Sequence, residues 1–342
     1  MKETRTTSRE IAELARVSQA TVSRALRNSP LVSPETRARV QQIAEQLHYR
    51  TDRSAAGLRT RRSHTLALLL FEEPDEGSQI NPFFLTMLGH ITHAAARRGH
   101  DVLVSFQQLS SDWYTDYQLS NRADGIILLG YGDYHDSGPR LDRLAAARAK
   151  FVIWGPQIPA MSEHCVSSDN AAGAEQAVRH LLALGRRRIA YIGSATDHWP
   201  EFKLRHEGYV RALREAGIEP DPALVTEAQS SEAEGRAAAA RLLGSGAAFD
   251  AVFAASDLIA IGAIGALRDR GLGVPENVAI VGFDDIATAA HFNPPLTTVQ
   301  QDTQRAAELL VDNLLRIIAG EPVEPGMIEP RLVVRRSCGS GG

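Results

Sequence analysis

The sequence predicts an all-α head of three short helices joined to an α/β body of two lobes, each built on a parallel sheet. Three observations carry that prediction. Within residues 1–50, short apolar stripes at helical spacing follow one another behind capping residues. From residue 64 onward, short apolar runs alternate with helix-like segments, which is how parallel βα units read. Charge divides at the same boundary. Residues 1–63 hold one Lys and twelve Arg against six Asp and Glu, a net of +7, and the whole chain's −4 leaves −11 for the remainder.

Length and composition bound the function. A chain of 342 residues, 44% hydrophobic and 23% charged, supports two or three cores of an ordinary globular protein. No apolar run reaches the roughly 18 residues a membrane span needs, and the opening MKETRTTSRE is too polar for a secretory signal. A cytoplasmic protein with no membrane contact is therefore expected. Cys165 and Cys338 are the only cysteines, which leaves neither a disulfide framework nor a Cys-based zinc site within the chain. No metal and no cofactor are expected. A basic head on an acidic body points to a polyanion as partner of the head alone.

In the head, Thr7 and Glu10 have capping-box spacing, and Ile11, Leu14 and Ala15 then mark one face of a first helix. Ser18, with Thr21 three residues on, starts a second helix whose apolar face is Val22, Ala25 and Leu26. Ser33 followed by Pro34 starts a third, with Val40, Ile43, Ala44 and Leu47 at helical spacing. Helices this short are not stable alone, so the three share one small core. That is the helix-turn-helix layout, in which the start of the second helix reaches base edges in the major groove of DNA. Here those residues are Ser18, Gln19, Ala20, Thr21 and Arg24. Gln suits adenine, Arg suits guanine and the Ala20 methyl suits thymine, while Ser18, Thr21 and Ser23 suit phosphates. Thr7 and Asn28 are counted with this DNA-facing set.

Residues 51–63, TDRSAAGLRTRRS, make a poor helix on their own, short and with Gly57 in the middle. The body then begins. TLALLLF, DVLVSF, DGIILLG and KFVIWG start at 65, 101, 124 and 150, and a second series, RRIAYIG, DAVFAAS and VAIVGFDD, starts at 187, 250 and 278. Two series imply two subdomains, the design of periplasmic sugar-binding proteins, with a ligand cleft where the strand C-termini of the two lobes face each other. The chain is expected to cross between lobes near residues 168, 300 and 329. The N-lobe then takes about 64–168 and 301–328, and the C-lobe about 169–300 and 329–342.

REIAELARVSQATVSRALRN followed by VSPETRARVQQIAEQLHYR resembles the DNA-binding headpiece of the lac repressor/gal repressor family of bacterial transcription regulators. The body carries the resemblance onward in NPFF (81–84), DGIILL (124–129), HLLALGRRRIAYIG (180–193), ASDLIAIGAIGALRDRGLGVPENVAIVGFDD (255–285) and PPLTTVQQD (294–302). The resemblance implies a helix-turn-helix headpiece over 1–50, a hinge over 51–63 and a periplasmic-binding-protein-like effector and dimerisation domain over 64–342. It also implies that the hinge becomes helical when two copies meet on an operator, with Leu58 wedging into the minor groove and Ala55 at the helix–helix contact. Two departures stand out. Arg16 occupies the turn where the family usually has Gly, which tolerates positive φ more cheaply, and Thr51 stands where a Pro often precedes the hinge.

In the cleft, the resemblance assigns Asp284 to bind ligand hydroxyls and Arg205 to clamp the ligand, chemistry that suits sugars because a carboxylate accepts hydroxyl hydrogens and an Arg fork donates. Gln301 falls near the hinge between lobes. Phe83 and Phe84 serve equally as core or as a wall for sugar rings, with Trp154, Trp199 and Phe283 as further aromatic candidates. Asp257 reads first as a helix N-cap and second as a ligand group, and Ser256 replaces an Asn of lac repressor, implying shorter or water-mediated contacts.

Enzyme motifs are missing: there is no GxSxG elbow, no phosphate-binding GxxxxGK[ST] loop and no GxGxxG after a strand. His90 and His93 have metal-ligand spacing but no third ligand nearby in sequence, and His164 beside Cys165 has no orienting group. The sequence thus reads as a ligand-responsive repressor of a carbohydrate uptake or catabolism operon. It is expected to bind double-stranded, pseudo-palindromic operator DNA as a homodimer, with a small-molecule effector, first a sugar, in the cleft. A nucleobase or nucleoside effector, or a solute-binding module without DNA function, are the alternatives. The ending RLVVRRSCGSGG carries no leucine heptads, so a tetramer of the lac repressor kind is not expected.

Overall fold

The computed structural model describes residues 7–26, 28–47, 49, 62–71, 80–130, 132–324 and 326–340. The chain divides into two compact units, Met1–Ser63 and His64–Gly342.

The head holds α1 (Ser8–Ala15), α2 (Gln19–Leu26) and α3 (Pro34–Gln46). Each start is fixed by side chains that satisfy the orphan N–H groups of a first turn. Thr7 and Glu10 form a reciprocal capping box, Ser18 accepts from the Thr21 N–H at 3.1 Å, and Ser33 caps α3 with Pro34 behind it. Ile11, Ala12, Ala15, Val22, Ala25, Val32, Val40 and Ala44 make the core, with Leu26, Ile43 and Leu47 packed on it. Leu14 departs from the expected face. It is 60% exposed, because α2 and α3 close over the side of α1 that carries Ile11, Ala12 and Ala15, and small Ala12 takes the inner place. Arg16 adopts the left-handed conformation its turn requires, φ 52° and ψ 48°, and its N–H bonds Ala12 and Glu13 carbonyls. A non-glycine residue pays some strain there. The Arg37 guanidinium donates to the carbonyls of Ser29 and Val32, tying the α2–α3 loop to α3.

The body starts as a βα series: β1 (Thr65–Leu70), α4 (Pro82–Arg97), β2 (Asp101–Phe106), a π-helical turn (Tyr114–Leu119), β3 (Gly125–Leu129), α5 (Tyr134–Ala146), β4 (Phe151–Trp154) and β5 (Cys165–Ser168). The second series is α6 (Asn170–Ala183), β6 (Ile189–Ile192), α7 (Pro200–Glu215), β7 (Val225–Thr226), α8 (Glu232–Gly244), β8 (Ala251–Ala254), α9 (Asp257–Asp269), β9 (Ala279–Asp284), α10 (Ala287–His291) and β10 (Thr297–Gln300). The chain then returns to the first lobe for α11 (Thr303–Ala319) and β11 (Met327–Ile328), and ends in the second with β12 (Arg331–Val333).

Two six-stranded sheets result, ordered β11-β5-β4-β3-β1-β2 and β12-β10-β9-β8-β6-β7. Every pairing is parallel except β10 with β12. Central strands such as Leu66–Leu70 and Ile126–Leu129 are apolar without alternation because helices cover both faces. The chain passes between the sheets after Ser168, Gln300 and Ile328, and these straps are laced together: Asp169 donates its N–H to Ile328 O at 2.9 Å, and Arg331 donates to Gln300 Oε1 at 2.8 Å. Helices α8 and α9 approach backbone to backbone. A Cβ at Gly262 would lie 2.0 Å from Glu232 O, so glycine alone allows that contact and fixes where α8 begins. No described helix is long and apolar enough to cross a membrane.

Candidate functional site

Strand C-termini of both sheets open onto a cleft of about 720 Å³ between the lobes. Its floor is a buried polar network. Asp284, the last residue of β9, is 8% exposed; Arg205, one turn into α7, is 5% exposed. The Arg205 guanidinium lies flat on the Phe283 ring, 3.8 Å from its centroid, donates from Nε to Asn170 Oδ1 at 2.8 Å and from NH1 to Ala255 O at 2.5 Å, and stands 3.6 Å from Asp284 Oδ1. Gln301 donates from Nε2 to the same Asp284 oxygen at 2.8 Å. Burial pushes the Asp284 carboxyl up to about 6, although Arg205 and Gln301 pull it down.

Backbone strain gathers here. Asp284 and Asp285 both have positive φ, 118° and 54°. Neighbours hold the second of them: Asp285 accepts from Arg335 at 2.6 Å and Gln300 at 2.7 Å. Left-handed non-glycine residues persist only where surroundings over-determine them, and they cluster at ligand sites.

The aromatic wall comes from Phe71, Phe83, Phe84 and Trp154 of the first lobe, faced by Trp199 and Phe202 of the second. Phe83 also belongs to the core, 5% exposed and packed against Trp154, so it serves both purposes. Phe283 lies under Arg205 rather than in the wall. Of the residues singled out in the sequence, Phe83, Phe84, Trp154, Trp199, Arg205, Asp284 and Gln301 reach the cleft.

Ser256 and Asp257 do not. The Ser256 hydroxyl caps α9 by accepting from the Ile259 N–H, and it also accepts from Ser230. Asp257 is wholly buried, accepting from Thr298 Oγ1 at 2.5 Å and the Ile286 N–H at 2.9 Å, which pins the start of α10 to β10. Burial, with the charge of Asp284 behind it, pushes its carboxyl well above the ordinary range. Their effector-contact assignment is thus replaced by a supporting one.

Sequence reasoning missed Asn170 and Ser168, where the first strap enters the cleft. Ser168 is 2% exposed and its hydroxyl has no hydrogen-bond partner among the described residues, while lining the cleft. A strand end directly before a helix cap, SSDN, was the available signal. Glu201, Glu232 and Glu234 also line the cleft.

The lobes touch at the rim. His198 of the second lobe donates to or accepts from the first through three contacts: its Nδ1 is 2.6 Å from Asp133 Oδ2, its carbonyl accepts the Tyr134 N–H at 2.9 Å, and its ring lies 4.4 Å from that of His135. Asn81 Nδ2 reaches Ser230 Oγ at 3.3 Å elsewhere on the rim.

In the head, Ser18, Gln19, Ala20, Arg24 and Asn28 are exposed, Thr21 and Ser23 half-buried, and Val22 and Ala25 turn inward. Thr7 is exposed with its side chain engaged in capping, and Asn28 accepts from Gln41 at 2.9 Å. Ala55 and Leu58 lie outside the described residues. Among the described residues no cluster of His, Cys, Asp and Glu could hold a metal ion.

Comparison with known proteins bears on both units. Residues 7–52 match the model of bacterial regulatory proteins of the lacI family, and 178–338 match a periplasmic binding protein-like domain. The HTH-type transcriptional regulator CelR of Thermobifida fusca is 35% identical over 97% of this chain and 98% of its own length. The chain belongs to the lacI family of bacterial regulatory proteins. GalS of Salmonella typhimurium, another such regulator, is 32% identical over 92% of the chain and 90% of its own. Among solved structures, a CelR–cellobiose complex has a TM-score of 0.71 at 33% identity, covering 97% of this chain and all of that one. The lac repressor dimer bound to operator and the anti-inducer ONPF has a TM-score of 0.81 at 25% identity, covering 97% and 99%. As a lacI-family protein the chain is a DNA-binding transcription regulator, built from a helix-turn-helix head and a periplasmic-binding-protein-like body, and not an enzyme.

Proposed function

We propose that this regulator represses a carbohydrate uptake or catabolism operon and responds to a sugar held in the interlobe cleft. The observation that carries the reading is the cleft floor: Asp284, Arg205, Asn170 and Gln301 in one buried network, beside an unpartnered Ser168 hydroxyl and under aromatic rings. Hydroxyl-rich rings need acceptors, donors and apolar faces at once, and this cleft offers all three. Its volume lies within the range of about 300–1,000 Å³ typical of small-molecule sites, with room for two sugar rings. The relative solved with cellobiose supports a sugar over other effectors.

On DNA, two heads of a homodimer meet the half-sites of a pseudo-palindromic operator, with Gln19, Ala20 and Arg24 reading bases and Ser18, Thr21 and Ser23 on phosphates. Thr7 and Asn28 flank that surface, and Ala55 and Leu58 act in the hinge over 51–63. A sugar that prefers one lobe arrangement shifts the balance between operator-competent and released states in proportion to its unequal affinity for them.

The test is a thermal-shift screen of the full chain against mono- and disaccharides, sugar phosphates and nucleosides, followed by operator titration with and without the hit. A sugar that raises the melting temperature and changes operator affinity is expected; a nucleoside as the sole hit, or a sugar that binds without touching operator affinity, would refute the reading. Arg24→Ala should weaken operator binding by about 1–3 kcal/mol and relax base preference at one position of each half-site, read by titration of operator variants.

A further inference from the structure

We infer that the cleft selects unphosphorylated, uncharged sugars and turns away the phosphate esters of the same sugars, an inference that rests on the sugar reading above. Charge inside the cleft is one-sided. Asp284, Glu201, Glu232 and Glu234 line it, and Arg205 is the one cationic side chain among the described lining residues. That cation is already engaged: Nε serves Asn170, NH1 serves the Ala255 carbonyl, and its face covers Phe283. Asp284 offsets its charge at 3.6 Å.

Helix starts would ordinarily supply the missing welcome for an anion, since first-turn N–H groups and the helix dipole favour negative charge. Helices α7 and α8 both begin at the cleft, at Pro200 and Glu232. Each answers its own dipole with carboxylates in the first turn, Glu201 in α7 and Glu232 with Glu234 in α8. The Glu234 N–H is taken as well, by the Ser231 side chain. The α7 start has no side-chain cap, so a phosphate dianion arriving at either helix start meets carboxylates beside the first-turn N–H groups that a phosphate site would use. A neutral sugar meets acceptors for its hydroxyl hydrogens. The close approach of α8 and α9, which glycines at 235 and 262 permit, holds Glu232 at that wall and makes the exclusion a property of the packing.

The experiment is calorimetric titration of the full chain at pH 8 with cellobiose, maltose and lactose, each against its own 6-phosphate. At least one neutral disaccharide should bind, with its phosphate ester weaker by about 100-fold, the scale set by several like charges across a few ångströms of partly screened cleft. In the triple variant Glu201→Gln, Glu232→Gln, Glu234→Gln that ratio should shrink by about tenfold, and circular dichroism melts would verify its folding, with Glu232→Gln alone as the milder version. An ester that equals or beats its parent overturns the inference and leaves the sugar reading standing. An unchanged ratio in the folded variants removes these carboxylates as its cause. If all six fail, the same comparison is made with the sugar that the thermal-shift screen returns and its phosphate ester, and a screen that returns no sugar overturns the sugar reading and the inference with it.

Discussion

The two walls of the cleft are made differently. The first lobe offers mainly rings, Phe71, Phe83, Phe84 and Trp154, with Asn81, Ser168 and Gln301 as its uncharged polar groups. The second carries Asn170, Arg205 and Asp284 in the floor network and the three glutamates at its edge, with Trp199 and Phe202 as its aromatic share. Hydrogen bonds are directional and ring stacking is tolerant, so under the proposed sugar reading selection and orientation fall mainly to the second lobe and the apolar wall to the first. A ligand can therefore dock on one lobe before the other commits.

The largest expected break of that asymmetry is at Arg205. Arg205→Met removes the cation from a buried carboxylate and should cost about 3–5 kcal/mol of stability, measured by urea unfolding. Adding Asp284→Asn should restore most of that stability and none of the sugar binding, which separates the network's structural share from its recognition share. Phe84→Ala, on the tolerant wall, should leave stability nearly intact and weaken the effector by about tenfold, in line with loss of one aromatic face worth roughly 1.4 kcal/mol. If it instead abolished binding, the division of labour between the lobes would be wrong.

Acidity sharpens the comparison further. Because the Asp284 carboxyl titrates near 6 in the folded chain and lower when unfolded, its ionisation opposes folding. That opposition is absent below the ordinary carboxylate range and fully felt once pH has risen through about 6. Effector affinity should run the other way, falling as pH drops through about 6 and the carboxylate loses an acceptor, while Asp284→Asn gives a flat profile over the same window. The smallest effect is expected at the rim. His198→Ala removes a half-exposed hydrogen bond with Asp133 and should speed effector release by about threefold, since exposed polar contacts contribute little; an effect as large as that at Arg205 would make the rim, not the floor, the determinant of effector retention.

The architecture was readable because buried strands of a parallel sheet are long apolar runs, as in TLALLLF or DGIILLG. Strands such as CVSS (165–168) and TTVQ (297–300) lack that signature, since each lies where a sheet hands over to a strap and carries polar groups for the cleft or for its neighbours. Within the cleft, Asp284 was legible because it ends an apolar run, and a strand end in such folds faces the crevice. ASD was half legible: Asp257 read first as a cap, but Ser256 takes that place and Asp257, one residue on, is buried against Thr298 and the Ile286 N–H. Glu201, Glu232 and Glu234 were invisible, because acidic residues at helix starts are common and only the fold brings two such starts to one cavity. Leu14 teaches the converse in the head, where eight residues of helix left its facing to be decided by α2 and α3.

Three straps join the lobes, and hydrogen bonds lace them side by side through Asp169, Ile328, Arg331 and Gln300. A single strap would be a ball joint, free to swivel. Three tied to one another restrict the ways in which one lobe can turn on the other. Gln301, next along one strap, holds Asp284 directly. On the proposed reading, a sugar in the cleft acts on the rest of the body through these straps, and Gln301 is where it first touches one.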